Sequence, residues 1–305
     1  MSVLSLKSFV SIGIKYMLLT SPLIIRFIIL FVLLLCAYYP IMPELVNVWL
    51  EDSNNSHGLL VPLIALFFAY QKRDDLKLYI ADTENLRYKF WATTFGLIVF
   101  AGSLLMYVLF YTGHIAFVSR LMLILSLISL VWYYFGIKFV KIILFPLLFL
   151  LFMIPVPDSF ISHITLPMKT FATNLAVPLI RLFGVTLIQE GNIIHLTTCT
   201  LEVAEACSGI RSLTSMLMLG FFFAHMTKGN SYRKVILVLF APVIAVIANV
   251  LRIMGTGLLA NIYGETVARG YVHDISGYLV FIFGFTGLFF LFKLLNMESV
   301  QDEPE

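Results

Sequence analysis

The stretch "AEACSGIRSL", residues 204–213, places a cysteine between a glutamate and an arginine, directly before a long apolar run. A cysteine thiol becomes a strong nucleophile once it is ionised. The free N–H groups at the start of a following helix favour the thiolate of Cys207, whereas the carboxylate of Glu205 opposes it. Arg211 falls on the same helical face as Cys207, four residues on, where it can assist electrostatically or anchor the helix.

Two other groups could complete a reaction centre with this thiol. Arg252 follows the uncharged run "APVIAVIANVL", and Asn249 lies three residues earlier on the same helical face. His273, in "RGYVHDISGY", can act as an acid or a base near neutral pH. A thiol, a guanidinium and an imidazole are the groups that covalent acyl transfer requires: a nucleophile, a cation for the oxyanion and a proton carrier.

The elements that must position these groups are membrane helices. Of the 305 residues, 60% are hydrophobic and 12% charged, and the mean hydropathy is +0.97. A soluble protein of this length needs far more surface charge, so the composition predicts an all-α polytopic membrane protein. The net charge of +3 argues against a nucleic-acid partner.

Uncharged apolar runs predict eight transmembrane helices, some of them shorter than the ~20 residues that usually cross a bilayer. The runs are residues 27–42, 59–70, 90–111, 121–137, 142–157, 212–227, 235–251 and 275–292. Basic residues cluster at 72–89, at 138–141 and at 228–234, and the positive-inside rule assigns them to the cytoplasm. The intervening, mostly acidic loops then face outward, although Arg120 and Arg269 are single exceptions.

This arrangement requires the chain between the fifth and sixth runs to begin and end outside. The segment 161–184 is therefore predicted as an interfacial or re-entrant helix. Partly alternating apolar residues from 185 to 203, around a Gly191-Asn192 turn signal, predict a small external strand element before Cys207. The domains are a cytoplasmic N-terminal segment over residues 1–22, a transmembrane domain over 23–295 and an acidic, disordered cytoplasmic tail over 296–305.

Several functions remain open from the residues alone. The metalloprotease motif HExxH is absent, and nothing in the sequence calls for a metal or another cofactor. A rhomboid-like serine protease would use Ser208, because "ACSG" is similar to the GxSG of that class. A noncatalytic transporter is the third class, but it would need polar residues at several depths.

Five of the six histidines fall on the outer side of the membrane in this topology, and topology does not choose among them. Cys199 could pair with Cys207 or remain free.

The motifs "SHGLLVP" (residues 56–62), "EGNIIHL" (190–196), "LEVAEACSGIRSL" (201–213), "NVLRI" (249–253) and "HDISGY" (273–278) resemble the exosortase/archaeosortase family over residues 20–295. The resemblance implies a polytopic cysteine transpeptidase whose catalytic residues are Cys207, Arg252 and His273. It adds His57 as a motif residue without an assigned role. A histidine at the third position is more similar to exosortases than to their archaeal relatives.

The same resemblance implies the substrates and the location. The substrates are exported proteins that end in a short motif such as Pro-Glu-Pro, a transmembrane helix and a basic cluster. The enzyme is expected in a bacterial inner membrane, in contact with lipid, with its active site facing the periplasm. A thioester on Cys207 is then resolved by water or by an acceptor amine that the sequence does not identify.

Overall fold

The computed structural model describes the backbone of residues 25–81, 89–203, 209–227, 229–264 and 271–301. Side chains are described for residues 25–79, 94–203, 212–227, 229–264 and 277–296. The chain divides into two compact units, Met1–Pro155 and Val156–Glu305. The described part is mainly helical with one three-stranded sheet, which confirms the predicted helical fold with a small strand element.

The first unit consists of helices and short 3-10 turns. Its α-helices are α1 (Ile25–Ala37), α2 (Met42–Glu51), α3 (Val61–Gln71), α4 (Arg73–Ala81), α5 (Lys89–Thr112), α6 (Ala116–Phe135), α7 (Ile137–Ile142) and α8 (Leu144–Phe149). The 3-10 turns are Tyr39–Ile41, Ser56–Leu59 and Leu150–Met153.

A proline divides the predicted run 27–42, so its description as a single helix is wrong, and another predicted run ends early. The run 27–42 ends at Ala37, and the chain bends by 48° before it continues as Tyr39–Glu51. Pro40 has no N–H to donate, and it lies in the 3-10 turn between α1 and α2. The run 142–157 contains one helical segment, Leu144–Met153, which ends two residues before Pro155.

Three buried hydroxyl groups of the first unit bond to one another, which offsets the cost of removing them from water. The Tyr38 hydroxyl lies 2.8 Å from the Ser126 hydroxyl, which lies 2.7 Å from that of Ser103. Arg120, an exception to the predicted charge pattern, has a side chain only 7% exposed and an Nη2 atom 3.0 Å from a Glu44 carboxylate oxygen. An ion pair between this buried guanidinium and the exposed carboxylate of Glu44 thus accounts for a basic residue outside the basic clusters.

Trp49 packs directly over the backbone of Gly58, which belongs to the motif "SHGLLVP". The indole Nε1 donates a hydrogen bond to the Met153 carbonyl at 2.8 Å, so the ring is held in place. A Cβ atom at position 58 would overlap the Nε1 and Cδ1 atoms of this ring. The glycine is therefore needed for the close approach of the 3-10 turn to α2.

We expect Gly58→Ala to destabilise the protein by about 1–3 kcal/mol, because the added methyl group must displace a hydrogen-bonded indole. Gly102→Ala is the matched control, since nothing lies within 4 Å of the Cβ position at this glycine in α5. Thermal unfolding of the purified protein in detergent measures the difference. Equal melting temperatures for the two variants would contradict the packing of Trp49 on Gly58.

The described part of the second unit contains four helices and the three-stranded sheet. Its elements are α9 (Asp158–Leu182), β1 (Leu187–Glu190), β2 (Ile193–Leu196), β3 (Thr200–Glu202), α10 (Gly209–Met226), α11 (Ser231–Tyr263) and α12 (Tyr271–Gln301). The sheet is antiparallel in the order β1-β2-β3. The predicted helix over 161–184 and the strand element around the Gly191 turn, where φ is +60°, are confirmed as elements.

Helices α11 and α12 extend beyond the predicted runs. The prediction ended the seventh run at residue 251, but α11 continues to Tyr263, so Arg252 lies inside the helix. The helix ends at Gly264, whose φ of +75° suits glycine. His273 was predicted just before the eighth run, but its backbone lies in the first turn of α12. That helix also continues through Gln301, into the tail predicted as disordered.

Four helical segments among the described residues are long and apolar enough to cross a membrane: Thr94–Thr112, Ala116–Phe135, Ser231–Tyr263 and Gly277–Asn296. The number rises to six if each of two broken pairs, Ile25–Ala37 with Tyr39–Glu51 and Leu144–Met153 with Asp158–Leu182, forms one span. Ser56–Gln71 and Ser212–Met226 are shorter apolar helices. Each of the eight predicted runs therefore overlaps a helix or a broken pair, while eight crossings remain a prediction.

Candidate active site

Helices α10, α11 and α12 pack on one another, and the predicted catalytic positions lie on them or directly before them in sequence. The connection between α10 and α11 covers only residues 227–230, which makes the two helices antiparallel. Ile244 of α11 faces Gly287 of α12, whereas Arg252 faces Gly277. Residue numbers thus rise along α11 as they fall along α12, so these helices are antiparallel as well.

The contact between α10 and α11 fixes the height of Arg252 relative to the start of α10. A Cβ atom at Gly220 would lie 2.8 Å from the Cβ atom of Ala241, so these two residues face each other. Eleven residues back along α10 lead to Gly209, and eleven residues forward along α11 lead to Arg252. Since helices rise about 1.5 Å per residue, Gly209 and Arg252 lie at the same level.

The contact between α10 and α12 gives the same level independently. The Met216 sulfur lies 3.0 Å from the position that a Cβ atom would occupy at Gly284. Both helices are antiparallel to α11, so they run in the same direction. Seven residues back along each lead to Gly209 and Gly277. The first residue of α10 is therefore level with Gly277 and Arg252.

The guanidinium of Arg252 lies against the backbone of α12 at Gly277. Its Nη2 atom is 3.6 Å and its Cζ atom 3.9 Å from the Cβ position of this glycine. Gly277 is one helical turn after position 273 and on the same face. A glycine inside a helix costs about 1 kcal/mol relative to alanine. Here a Cβ atom would just touch the guanidinium, so a side chain larger than a methyl group would displace it.

Asn249, one turn before Arg252, is a buried amide with unused hydrogen-bonding groups. The residue is 1% exposed, and neither Nδ2 nor Oδ1 has a hydrogen-bond partner among the described residues. Leaving a buried amide unpaired costs about 1–3 kcal/mol. Asn249 thus has a donor and an acceptor available near Arg252.

The sheet and α9 hold the part of α11 that extends beyond Arg252. Leu201 of β3 and Ile180 of α9 both contact α11 at Gly257. The Thr198 hydroxyl, at the β2–β3 turn, donates a hydrogen bond to the Ala260 carbonyl at 2.9 Å. An apolar core formed by α9, the sheet and α11 surrounds these contacts. The sheet is therefore fixed on the same helix that carries Arg252 and Asn249.

The structure brings together only part of the predicted site. Cys207, Glu205 and Ser208 lie outside the described residues. Arg211 and His273 have described backbones, in the first turns of α10 and α12, but not described side chains. The convergence of Cys207, Arg252 and His273 therefore remains a prediction.

His57 and Cys199 lie on other elements. His57 belongs to the first unit, in the 3-10 turn Ser56–Leu59 beside Gly58, and its Nδ1 atom is buried. Cys199 is a free cysteine, and its thiol lies 3.8 Å from the Ala260 carbonyl oxygen. Among the described residues, no group of three or more His, Cys, Asp or Glu side chains could hold a metal ion.

The apolar helices define a multi-pass membrane protein, and the second unit carries a polar candidate site within its helices. A comparison with protein-family models matches residues 49–290 to the family described as Transmembrane exosortase (Exosortase_EpsH). Because the match covers most of the chain, the protein belongs to the transmembrane exosortase family. No curated protein and no solved structure gave a significant match.

Proposed function

We propose that this protein is a membrane-embedded cysteine peptidase or transpeptidase that cleaves C-terminal sorting signals of exported proteins. One observation carries the proposal: the Arg252 guanidinium lies against Gly277, one turn from position 273 and level with the first residue of α10. Cys207 precedes that residue by two positions in the sequence. Membership of the exosortase family supports the transpeptidase class.

The proposed reaction starts with attack of the Cys207 thiolate on a backbone carbonyl of the substrate tail. The Arg252 guanidinium donates hydrogen bonds to the resulting oxyanion, and the Asn249 amide is a second donor for it. Collapse of this intermediate breaks the C–N bond and leaves a thioester on Cys207. His273 gives a proton to the departing amine.

A second nucleophile then completes the cycle. Water or an acceptor amine attacks the thioester, His273 accepts its proton, and the Cys207 thiol is released. The positive charge of Arg211 favours the thiolate state. The carboxylate of Glu205 opposes it.

The membrane itself positions the substrate in this proposal. The tail consists of a short motif, a transmembrane helix and a basic cluster, so its scissile region is held at the interface where the catalytic groups lie. This confinement replaces an encounter in three dimensions with positioning in a plane. The proposed location is a bacterial inner membrane, with eight spans and the active site at the periplasmic face.

We expect the cognate exported protein to accumulate with an uncut C-terminal tail in cells that lack this enzyme. Mass spectrometry of the mature C-terminus, with and without the enzyme, measures the effect. Re-expression of the wild-type chain is the control and should restore the shorter form. The same mature C-terminus in both strains would favour transport or another role over peptide cleavage.

The proposed topology predicts opposite accessibility of residues 75 and 160. Asp75 lies within the basic cluster at 72–89 that is assigned to the cytoplasm, and Phe160 follows the fifth run. Both side chains are exposed, at 57% and 63%. Single cysteines at these positions, in a background without native thiols, should react with an impermeant maleimide from opposite sides. Labelling of both cysteines from one side would contradict the eight-span arrangement.

A further inference from the structure

Strand β3 has an open edge. In its pairing with β2, the Val203 N–H donates a hydrogen bond to the Asn192 carbonyl at 3.0 Å. Antiparallel pairing alternates along a strand, so Thr200 and Glu202 direct their N–H and C=O groups away from β2. Neither residue makes a main-chain hydrogen bond on that side within the described part of the chain. Both residues are exposed.

The opposite edge of the sheet differs. On β1, the carbonyl of Leu187 accepts a hydrogen bond from Arg181 of α9 at 3.5 Å, and the Leu187 side chain is buried. The side chain of Gln189, also on β1, bonds to Asn174 of α9 at 2.7 Å. α9 therefore covers part of the β1 edge.

Strand β3 also runs toward the candidate site. The β2–β3 turn is hydrogen-bonded to α11 at Ala260. Leu201, further along β3, contacts α11 at Gly257, three residues closer to Arg252. Five further residues along α11 in the same direction lead to Arg252. At about 1.5 Å per residue, the Gly257 contact lies about 7.5 Å from the level of Arg252. An extended chain beside β3 would reach that level within a few residues.

We infer that the open edge of β3 binds the extended segment of the substrate next to the scissile bond, as a fourth strand. This inference rests on the proposed function. The edge offers donors and acceptors in alternation, and the partner that matches both at strand spacing is a polypeptide main chain. Main-chain pairing holds the segment whatever most of its side chains are, and the direction of β3 delivers the segment to Arg252.

The test removes one main-chain N–H from the edge without removing the strand. Proline lacks the N–H and is tolerated on an edge strand where that group faces outward. Glu202→Pro should lower kcat/KM for tail cleavage about tenfold, mainly through KM, because one hydrogen bond is lost and the ring obstructs the docked strand. Glu202→Ala keeps the N–H, so it is the reference against which the tenfold fall is measured, and it separates loss of the N–H from loss of the carboxylate.

The matched pair on the other edge is Gln189→Pro and Gln189→Ala, which should cleave the tail equally well. Membranes containing the enzyme and its cognate tail-bearing protein provide the assay. If the wild type cleaves the tail and stable Glu202→Pro does so equally well, the docking inference is overturned while the proposed function stands. If the wild type does not cleave the tail, the proposed function itself fails.

A proline scan of the substrate decides the question even if Glu202→Pro lowers the stability of the enzyme. The scan covers the six residues before the cleavage site, where the tail is extended in this proposal. Pairing with β3 predicts loss of cleavage at alternate positions, since only every second N–H faces the edge. Uniform tolerance or uniform loss along the segment would overturn the inference.

Discussion

Cys207→Ala is expected to abolish cleavage of the membrane-tethered tail while the protein still inserts and reaches the same abundance. The reason is chemical: without the thiol, no neighbouring group forms the thioester through which the reaction proceeds. The uncut and cut forms of the cognate protein, separated by mass, give the readout. Immunoblots of the membrane fraction check that the variant is present.

Two neighbouring substitutions serve as controls. Ser208→Ala should retain much of the activity, because Ser208 is the nucleophile only in the rhomboid-like alternative. Cys199→Ala should also retain activity, in keeping with the free thiol of Cys199. If Ser208→Ala is inactive and Cys207→Ala is active, a serine mechanism replaces the one proposed here.

Arg252→Ala is expected to lower the rate of cleavage by about 100-fold to 1,000-fold, the usual cost of removing an oxyanion donor. Arg252→Lys should restore only part of the activity, since an ammonium group lacks the planar fork of the guanidinium. Single-turnover rates with a saturating amount of the tail-bearing protein measure the loss. An Arg252→Ala variant within a factor of three of the wild type would contradict the role of the guanidinium.

Gly277 offers a test of the position of this guanidinium as well as its presence. Gly277→Leu places a side chain where the guanidinium lies, so activity should fall toward that of Arg252→Ala. Gly277→Ala should have a small effect, because its Cβ would lie 3.6 Å from Nη2, an ordinary contact distance. Gly287→Leu is the control on the same helix, since its Cβ position faces Ile244 at 3.7 Å instead of a charge. Full activity of Gly277→Leu would contradict the proposed placement of Arg252.

The helices could be predicted from the sequence because apolar runs in a membrane protein must form them, but their ends could not. A prediction from hydropathy ends a helix at the first charged residue, so the seventh run was predicted to end just before Arg252. In the structure, α11 continues for eleven residues beyond Arg252, to Tyr263. Packing decides this case, because residues beyond Arg252 bury an apolar face against α9 and the sheet. At Pro40 the opposite error arose, since an uninterrupted apolar run conceals a broken helix.

For the candidate site, the sequence indicated the chemical groups, and the structure showed which neighbouring elements lie against them. Arg252 and Asn249 were predicted from their types and their spacing on one helical face. Gly277 was not singled out, although a glycine one turn after His273 signals a close approach to the helix. The open edge of β3 could not be read from the sequence, because it depends on the order of the strands and on what covers each edge.

The central claim is that the tail is cleaved through a thioester on Cys207, and hydroxylamine tests it most directly. Hydroxylamine attacks a thioester, frees the thiol and leaves the acyl group as a hydroxamic acid. Membranes that contain the enzyme and the cognate tail-bearing protein should therefore yield a cut protein ending in a hydroxamate, identified by its mass. We expect this product with the wild type and with Ser208→Ala, and not with Cys207→Ala. A hydroxamate that forms with Cys207→Ala, or cleavage by the wild type that never yields one, would contradict the account.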